Sequence, residues 1–178
     1  MGKKLDKLND DLISFIKKQP LFFVGTATAE GSVNVSPKGI DTFRVISDSK
    51  IAWLNLTGSG NETAAHLIKN PRMTILFCAF EGAPLILRLY GKAKIYHPRD
   101  EEFVRLKEIF ANTPGARQII EMDINLVQSS CGFAVPLMDF KAQRDILTDW
   151  ADKKGEEGIQ EYWNEKNQVS LDGFQTLT

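Results

Sequence analysis

The feature that most constrains the fold is a series of short apolar runs, each bounded by turn residues. Residues 21–28 and 33–36 flank a turn signal around Gly31, and residues 43–46 and 51–56 flank a second polar turn. Two β-type runs separated by a short turn signal predict a hairpin. The first third of the chain therefore predicts four strands in two hairpins.

The later apolar runs continue the pattern. Residues 73–80 are almost wholly apolar, as in a strand covered on both faces, and residues 85–96 alternate apolar and polar. Residues 124–135 predict a last long strand, with Gly132 as a bulge. About seven strands without a repeating strand-helix rhythm predict an α+β, mainly β, fold: an antiparallel barrel with flanking helices.

Apolar residues at helical spacing predict the flanking helices. They place an N-terminal helix at about 3–18, short helices at 61–69 and after Pro98, and a C-terminal helical extension at about 139–163. Residues 164–178 are polar and predict either an extended docked tail or a frayed one. We expect one domain over residues 1–178, with the barrel at about 20–136.

Charge and apolar length exclude several classes of protein. The 178 residues have a net charge of −1, so no global field attracts nucleic acid. No apolar run reaches the roughly 18 residues that a bilayer span needs, and we expect no membrane partner. Charges of both signs precede the first apolar run, which is not typical of a secretory signal and predicts a cytoplasmic protein. No metal-ligand spacing is present.

Two segments carry candidate chemistry. The stretch from Thr57 to Thr63 places glycines and hydroxyls at a helix start, where unpaired backbone N–H groups favour anions. The alternative is a capping box made by Ser59 and Glu62. At the end of the second strand, Lys38 offers a point charge for a phosphate, or is an ordinary solvated turn lysine.

Polar residues also interrupt apolar strands. Arg88 lies between two leucines and needs an acceptor, most simply a structural ion pair. Gln128 and Ser130 need hydrogen-bond partners in the core, in a ligand or in another subunit. His66 on the short helix is either a satisfied histidine or a ligand contact.

Five segments in this order resemble the pyridoxamine 5′-phosphate oxidase-like FMN-binding split-barrel family. They are Phe23-Val-Gly-Thr-Ala27, Val33-Asn-Val-Ser-Pro-Lys-Gly39, Trp53-Leu-Asn-Leu-Thr-Gly-Ser-Gly-Asn-Glu-Thr63, Leu87-Arg-Leu-Tyr-Gly91 and Gln128-Ser-Ser-Cys-Gly132. The resemblance runs from about residue 21 to 136. It implies a split-barrel homodimer with two FMN molecules at the subunit interface.

The resemblance also implies roles for individual residues. Candidate cofactor-binding residues fall into a strand-end element, a phosphate loop, a lining for the ring or ribityl chain, and a group near the subunit interface. In that order they are Ser36 and Lys38; Ser59, Asn61 and Thr63; Asn55, Leu56 and Thr57; and Gln128 and Ser130. Arg88 is a further candidate cofactor-binding residue. Gln128 and Ser130 are expected to reach a flavin in the neighbouring subunit.

The sequence departs from the oxidase itself at two places. The oxidase has an Arg-Lys pair in the loop where this chain has Asn61, Glu62 and Thr63, and its C-terminal Trp-Arg element has no match here. We therefore expect an FMN-dependent oxidoreductase with a small-molecule substrate other than pyridoxamine phosphate. The alternatives are a non-catalytic flavin- or haem-binding module, with His66 as the first haem ligand to test, a deazaflavin-dependent reductase, and an interaction protein with an empty site.

Overall fold

A computed structural model describes residues 2–178, and within them the chain forms eight strands and four helices. In chain order the elements are β1 (Lys3–Leu5), α1 (Asp10–Lys18), β2 (Phe22–Thr26), β3 (Asn34–Lys38), β4 (Phe43–Ser47), β5 (Lys50–Leu56), α2 (Glu62–Lys69), β6 (Arg72–Cys78), β7 (Ile86–Tyr96), α3 (Glu101–Lys107), β8 (Ala116–Ser130) and α4 (Ile146–Lys166).

The strands form one antiparallel sheet in the order β3-β2-β6-β7-β8-β5-β4, with β1 paired to β8. β7 and β8 are the longest strands, and their pairing shifts register between Tyr90 and Gly91. This architecture confirms the predicted mainly β, antiparallel split barrel with flanking helices.

Both predicted hairpins are confirmed. β2 pairs with β3 from Phe22 opposite Lys38 to Thr26 opposite Asn34. β4 pairs with β5 across a two-residue connection at Asp48 and Ser49. The first hairpin matters for function, because its register fixes where the polar side chains of β3 lie.

The core lies between the faces of the curved sheet. Phe22, Phe43, Trp53 and Phe77 form an aromatic group, in which Phe22 and Phe43 have ring centroids 4.9 Å apart. Edge-to-face aromatic pairs of this kind add to the free energy gained from area burial. A smaller apolar cluster packs α3 against β5 and β8. The cores hold β5 and β8 in place, and β3 is held by its pairing with β2.

The predicted N-terminal helix starts too early. Helix α1 begins at Asp10, where the Asn9 side chain accepts a hydrogen bond from the Leu12 N–H, and it ends at Lys18. Residues 3–5 form the short strand β1, in which Lys3 lies opposite Ser129 of β8. Cap chemistry at Asn9 sets the start of the helix, since this residue satisfies a backbone donor left free by the first turn.

The predicted last strand also has the wrong limits. β8 begins at Ala116, eight residues before the predicted start at 124, and ends at Ser130 rather than 135. Gly132 is not a bulge within the strand but lies beyond it, with a φ of 64°. The first residues of β8 pair with β5, from Leu56 opposite Ala116 to Lys50 opposite Asp123. That long-range pairing extends the strand.

The C-terminal helix begins at Ile146 rather than 139, and Gly155 interrupts it with a φ of 68°. Residues 139–145 lack regular secondary structure. Beyond the helix the tail docks: Val169 pairs with Gln175, and Asn167 and Thr176 are fully buried. Of the two alternatives for the tail, the docked one holds.

No helix in residues 2–178 is both long enough and apolar enough to cross a membrane.

Candidate functional site

A polar cavity of about 240 Å³ lies where β3, the loop from β5 to α2, and the start of β8 meet. The structure brings together at this cavity the strand-end element and the glycine loop that the resemblance implies. Six of the predicted site residues line it: Ser36, Lys38, Asn55, Ser59, Asn61 and Thr63.

Strand alternation directs the polar residues of β3 into the cavity. Asn34, Ser36 and Lys38 share one face and line the cavity, whereas Val35 is exposed. The Asn34 amide donates to Thr63 Oγ1 at 3.3 Å, and Ser36 Oγ donates to Asn34 Oδ1 at 3.0 Å. These hydrogen bonds connect β3 to the first turn of α2.

Lys38 brings a half-buried positive charge to the cavity. Its Nζ lies 5.2 Å from the ring centroid of Trp53, within the range of a cation–π contact. Burial, with a smaller contribution from the positive charge of Arg117, lowers the pKa of Lys38 from 10.5 to about 8. Within residues 2–178 Lys38 forms no ion pair with a carboxylate. At neutral pH the cavity therefore contains an ammonium group without a direct ion-pair partner, and the Glu62 carboxylate lines the same cavity.

Arg117 supplies a second positive charge from the start of β8, and its side chain lines the same cavity. It is 2% exposed, and its Nη1 donates to the Gly60 carbonyl at 3.2 Å and to Asn167 Oδ1 at 2.5 Å. Its Nε has no hydrogen-bond partner in the described chain. Burial lowers the pKa of Arg117 to about 10, so the side chain stays charged at neutral pH.

Arg117 was not predicted from the sequence as a site residue, and its position alters one expectation. The predicted phosphate loop lacks the Arg-Lys pair of the oxidase, but a guanidinium from another element reaches the same cavity. Within the described residues Arg117 has no carboxylate ion-pair partner either. A buried cation without a counter-charge is destabilising. An anionic ligand would supply that counter-charge.

Asn55 and Asn61, which line the cavity, are linked to a third buried amide side chain, that of Gln118. Asn55 Nδ2 donates to Gln118 Oε1 at 3.0 Å and to Asn61 Oδ1 at 3.3 Å. Asn61 Nδ2 and Gln118 Nε2 in turn donate to the Thr178 hydroxyl, at 2.6 and 3.3 Å. A connected network of this kind fixes the orientation of each amide. Gln118 was also missed by the sequence prediction.

Two predicted residues next to the loop do not line the cavity. Leu56 packs against the apolar cluster between α3 and the sheet, on the opposite side of β5 from Asn55. Thr57 is buried; its hydroxyl donates to the Gly115 carbonyl at 2.8 Å and accepts from Trp163 Nε1 at 2.7 Å. Thr57 thus anchors the base of the glycine loop.

The capping box predicted at the start of α2 is not formed. Asn61, not Ser59, occupies the N-cap position, and no side chain caps the helix. Both Glu62 carboxylate oxygens accept from the Leu171 N–H, at 3.0 and 3.1 Å, rather than reaching back to the cap. The C-terminal tail therefore occupies the Glu62 carboxylate that the predicted capping box would need. Ser59 is exposed and lines the cavity.

Arg88, Gln128 and Ser130 form a separate polar group at the far end of β7 and β8. Arg88 Nη1 donates to Ser130 Oγ at 3.1 Å, and the Tyr90 hydroxyl donates to Gln128 Oε1 at 3.1 Å. Gln128 lies eleven residues beyond Arg117 on β8, which is about 36 Å of extended strand. The structural ion pair considered for Arg88 is instead a hydrogen bond to a hydroxyl. Within one protomer these residues are not part of the cavity.

A second cavity, of about 310 Å³, is larger but has different chemistry. Phe22, Phe43 and Phe77 contribute aromatic walls, and at its rim Arg44 and Asp41 pair with each other at 2.8 Å. The smaller cavity is the stronger candidate, because it contains two cations that lack carboxylate partners.

His66 lines neither of these cavities. It is 1% exposed; its Nδ1 lies 3.1 Å from Thr26 Oγ1, and its Nε2 is buried without a hydrogen-bond partner in the described chain. An axial haem ligand needs open space beside its free ring nitrogen. The position of His66 gives no support to the haem alternative.

Comparison with known proteins identifies the family. A family model described as "Pyridoxamine 5'-phosphate oxidase" matches residues 8–131, more than half of the chain. The chain belongs to the pyridoxamine 5′-phosphate oxidase family. The match covers both sides of the polar cavity, from β3 to Arg117.

Relatives of the pyridoxamine 5′-phosphate oxidase family agree with this assignment. A pyridoxamine 5′-phosphate oxidase family protein of Aspergillus flavus, ustO, is 36% identical over 193 residues, covering 97% of this chain and 76% of that protein. The crystal structure of HupZ from Group A Streptococcus matches with a TM-score of 0.56 at 20% identity, covering 67% of this chain and 91% of HupZ. A putative pyridoxamine 5′-phosphate oxidase from Lactobacillus delbrueckii matches with a TM-score of 0.55 at 21% identity, covering 70% and 98%. The two structures support the split-barrel fold.

Proposed function

We propose that this protein binds FMN through the polar cavity and acts as an FMN-dependent oxidoreductase on a small molecule other than pyridoxamine phosphate. The observation that carries the proposal is the pair of cations, Lys38 and Arg117, which share one cavity and have no ion-pair partner in the described chain.

A phosphate monoester fits these donors. It carries a charge between −1.5 and −2 at neutral pH, opposite in sign to the two side chains. The Glu62 carboxylate also lines the cavity, but both of its oxygens accept from the Leu171 N–H. Arg117 lines the cavity with a guanidinium whose buried Nε has no partner in the described chain, and Lys38 offers an ammonium group as a point charge. The Ser59 and Thr63 hydroxyls line the same cavity and can donate to phosphate oxygens.

Bound FMN would supply the electron transfer, and the chain would contribute binding and orientation. Lys38 and Arg117 would hold the phosphate group. The amide network of Asn55, Asn61 and Gln118 would keep that part of the cavity lining rigid, because each amide is already fixed by a neighbour. No side chain in the cavity needs to act as a nucleophile.

We further propose that the working form is a homodimer with a cofactor at each of two sites between the subunits. One protomer offers a cavity of about 240 Å³, below the usual range of roughly 300 to 1,000 Å³ for cofactor pockets. The part of FMN that does not fit in this cavity then needs a wall formed by other residues. The separate polar group of Arg88, Gln128 and Ser130 is a candidate for that wall when it belongs to the partner subunit.

A ligand titration tests the proposal. Purified protein is stripped of any bound ligand and titrated with FMN, riboflavin, a deazaflavin and haem, each followed by absorbance and fluorescence. We expect FMN to bind with quenched fluorescence, and more tightly than riboflavin, because the two cations act on the phosphate. A protein that binds haem or the deazaflavin but not FMN would overturn the assignment.

A further inference from the structure

Three polar residues of the C-terminal tail, residues 167–178, are buried, whereas the rest of the tail is half-buried or exposed. Asn167 and Thr176 have no exposed surface, and Ser170 is 7% exposed. Polar side chains buried in this way normally satisfy specific hydrogen bonds. The partners of Asn167 lie in the polar cavity described above.

Asn167 connects Arg117, one of the two cations of the cavity, to the glycine loop. Its Oδ1 accepts from Arg117 Nη1 at 2.5 Å, and its Nδ2 donates to the Gly58 carbonyl at 3.1 Å. Thr176 secures Asn167 from the other side, by donating its hydroxyl to the Asn167 carbonyl. One carboxamide therefore determines both where the guanidinium lies and where the loop lies.

The side chain of Asn167 is neutral, and this neutrality matters as much as its position. Both acceptors of Arg117 Nη1, Asn167 Oδ1 and the Gly60 carbonyl, are neutral. An aspartate has nearly the same shape as Asn167, but it would form an ion pair with Arg117 and cancel its charge. The asparagine holds the guanidinium in place without adding a counter-charge, and the buried Arg117 Nε has no hydrogen-bond partner in the described chain.

We infer that Asn167 is a positioning residue that makes this cavity selective for a phosphate group, acting through Arg117 and the Gly58 carbonyl. The inference rests on the proposed function for the identity of the ligand, FMN. It adds that phosphate recognition depends on a residue outside the barrel, contributed by the tail that follows α4.

The test compares the FMN and riboflavin affinities of the same variant, because these two ligands differ only in the phosphate. We expect Asn167→Asp to weaken FMN by at least about tenfold, since the new carboxylate cancels the Arg117 charge and repels the phosphate. Riboflavin affinity should stay within about twofold. A merely structural role would weaken both ligands together and leave their ratio unchanged, which would overturn the inference.

Two further variants complete the comparison. Asn164→Asp adds the same charge at an exposed position of α4 and should leave both affinities unchanged. Asn167→Ser removes both hydrogen bonds without adding a charge, and should lower the FMN-to-riboflavin ratio by about threefold to tenfold. If the aspartate variant does not fold, an unchanged ratio in the serine variant overturns the inference.

A measurement with inorganic phosphate distinguishes a failure of this inference from a failure of the proposed function. We expect phosphate to raise the melting temperature of the wild-type protein at constant ionic strength, and to do so much less in Asn167→Asp. If FMN does not bind but this phosphate effect is seen, the proposed function fails and the role of Asn167 stands. If FMN binds and the variants keep the wild-type ratio, the role of Asn167 fails alone. A wild-type protein that responds to neither ligand overturns both.

Discussion

At the scale of single residues, the site is defined by two cations that have no ion-pair partner in the described chain. Lys38 lies near the indole ring of Trp53, and Arg117 donates to the Gly60 carbonyl and to Asn167 Oδ1. All three of these neighbours are neutral. Burying such groups lowers the affinity of each for its proton. A bound anion reverses this effect, so ligand affinity and protonation are linked.

Replacing Lys38 tests its part in phosphate binding. We expect Lys38→Ala to weaken FMN by about 1.5 to 3 kcal/mol, the usual contribution of a charge-assisted hydrogen bond. Isothermal titration at pH 7 measures the change. Lys94→Ala, at an exposed position of β7, removes the same charge away from the cavity and should leave the dissociation constant unchanged. Equal affinities in the two variants would rule out the role of Lys38.

The pKa of Lys38 predicts how FMN binding depends on pH. Because this pKa is lowered to about 8, Lys38 is mainly charged below pH 8 and mainly neutral above it. Lys38 is half deprotonated near pH 8, so FMN affinity should begin to fall between pH 7 and 8 and should decline further up to pH 9.5. Arg117, with a pKa of about 10, keeps its charge over most of that window.

The matched variant for the pH experiment is Lys38→Arg. A guanidinium stays protonated throughout this range, so the affinity of that variant should be nearly flat where the wild type declines. A wild-type profile without a decline between pH 7 and 9.5 would mean that Lys38 does not contact the phosphate in its charged form.

At the scale of elements, local sequence signals predicted those parts of the fold that local interactions determine. The hairpins β2–β3 and β4–β5 carry their own turn residues and alternation, and both were predicted. Strand β1 was missed, because residues 3–5 are exposed and become a strand only through pairing with β8. A segment of three residues has no sequence pattern that could indicate this pairing with β8.

The start of β8 was missed for a reason connected with function. Arg117 and Gln118 follow Ala116 at the start of the strand, and two consecutive polar residues do not follow the apolar pattern of a buried strand. Both are buried, and Arg117 lines the cavity. Ser36, Lys38, Asn61 and Thr63, which line the cavity, were predicted as site residues from two polar segments and the family resemblance. Arg117 and Asn167 come to the cavity only through long-range pairing and docking.

Replacing glycine by alanine should have opposite effects on stability at Gly91 and at Gly158. A methyl group on Gly91 would lie 2.1 Å from the Asp123 carbonyl oxygen, at the register shift between β7 and β8. Gly91→Ala should destabilise the protein by about 1 to 3 kcal/mol, because the backbone must move. Gly158→Ala, in the second half of α4 with its nearest contact at 3.5 Å, should stabilise it by about 0.5 to 1 kcal/mol. Urea unfolding measures both, and equal signs would contradict the geometry.

At the scale of the whole molecule, the two polar groups of one protomer lie at opposite ends of β8 and cannot meet in one site. In the proposed homodimer, the cavity of one subunit is completed by Gln128 and Ser130 of the other copy of the chain. Sedimentation should give a mass near twice the 20.0 kDa of the chain. The double variant Gln128→Ala/Ser130→Ala should weaken FMN by about 2 kcal/mol, as expected for two neutral hydrogen bonds.

Mixing two defective variants tests whether the sites are shared. In a dimer of one Lys38→Ala subunit and one Gln128→Ala/Ser130→Ala subunit, one site carries all the defects and the other carries none. If the chains exchange in solution, up to half of the sites in each mixed dimer should regain wild-type FMN affinity. If every site were built from a single chain, mixing would restore no binding, because each subunit would keep its own defect. A melting curve of each variant alone confirms that it is folded before mixing.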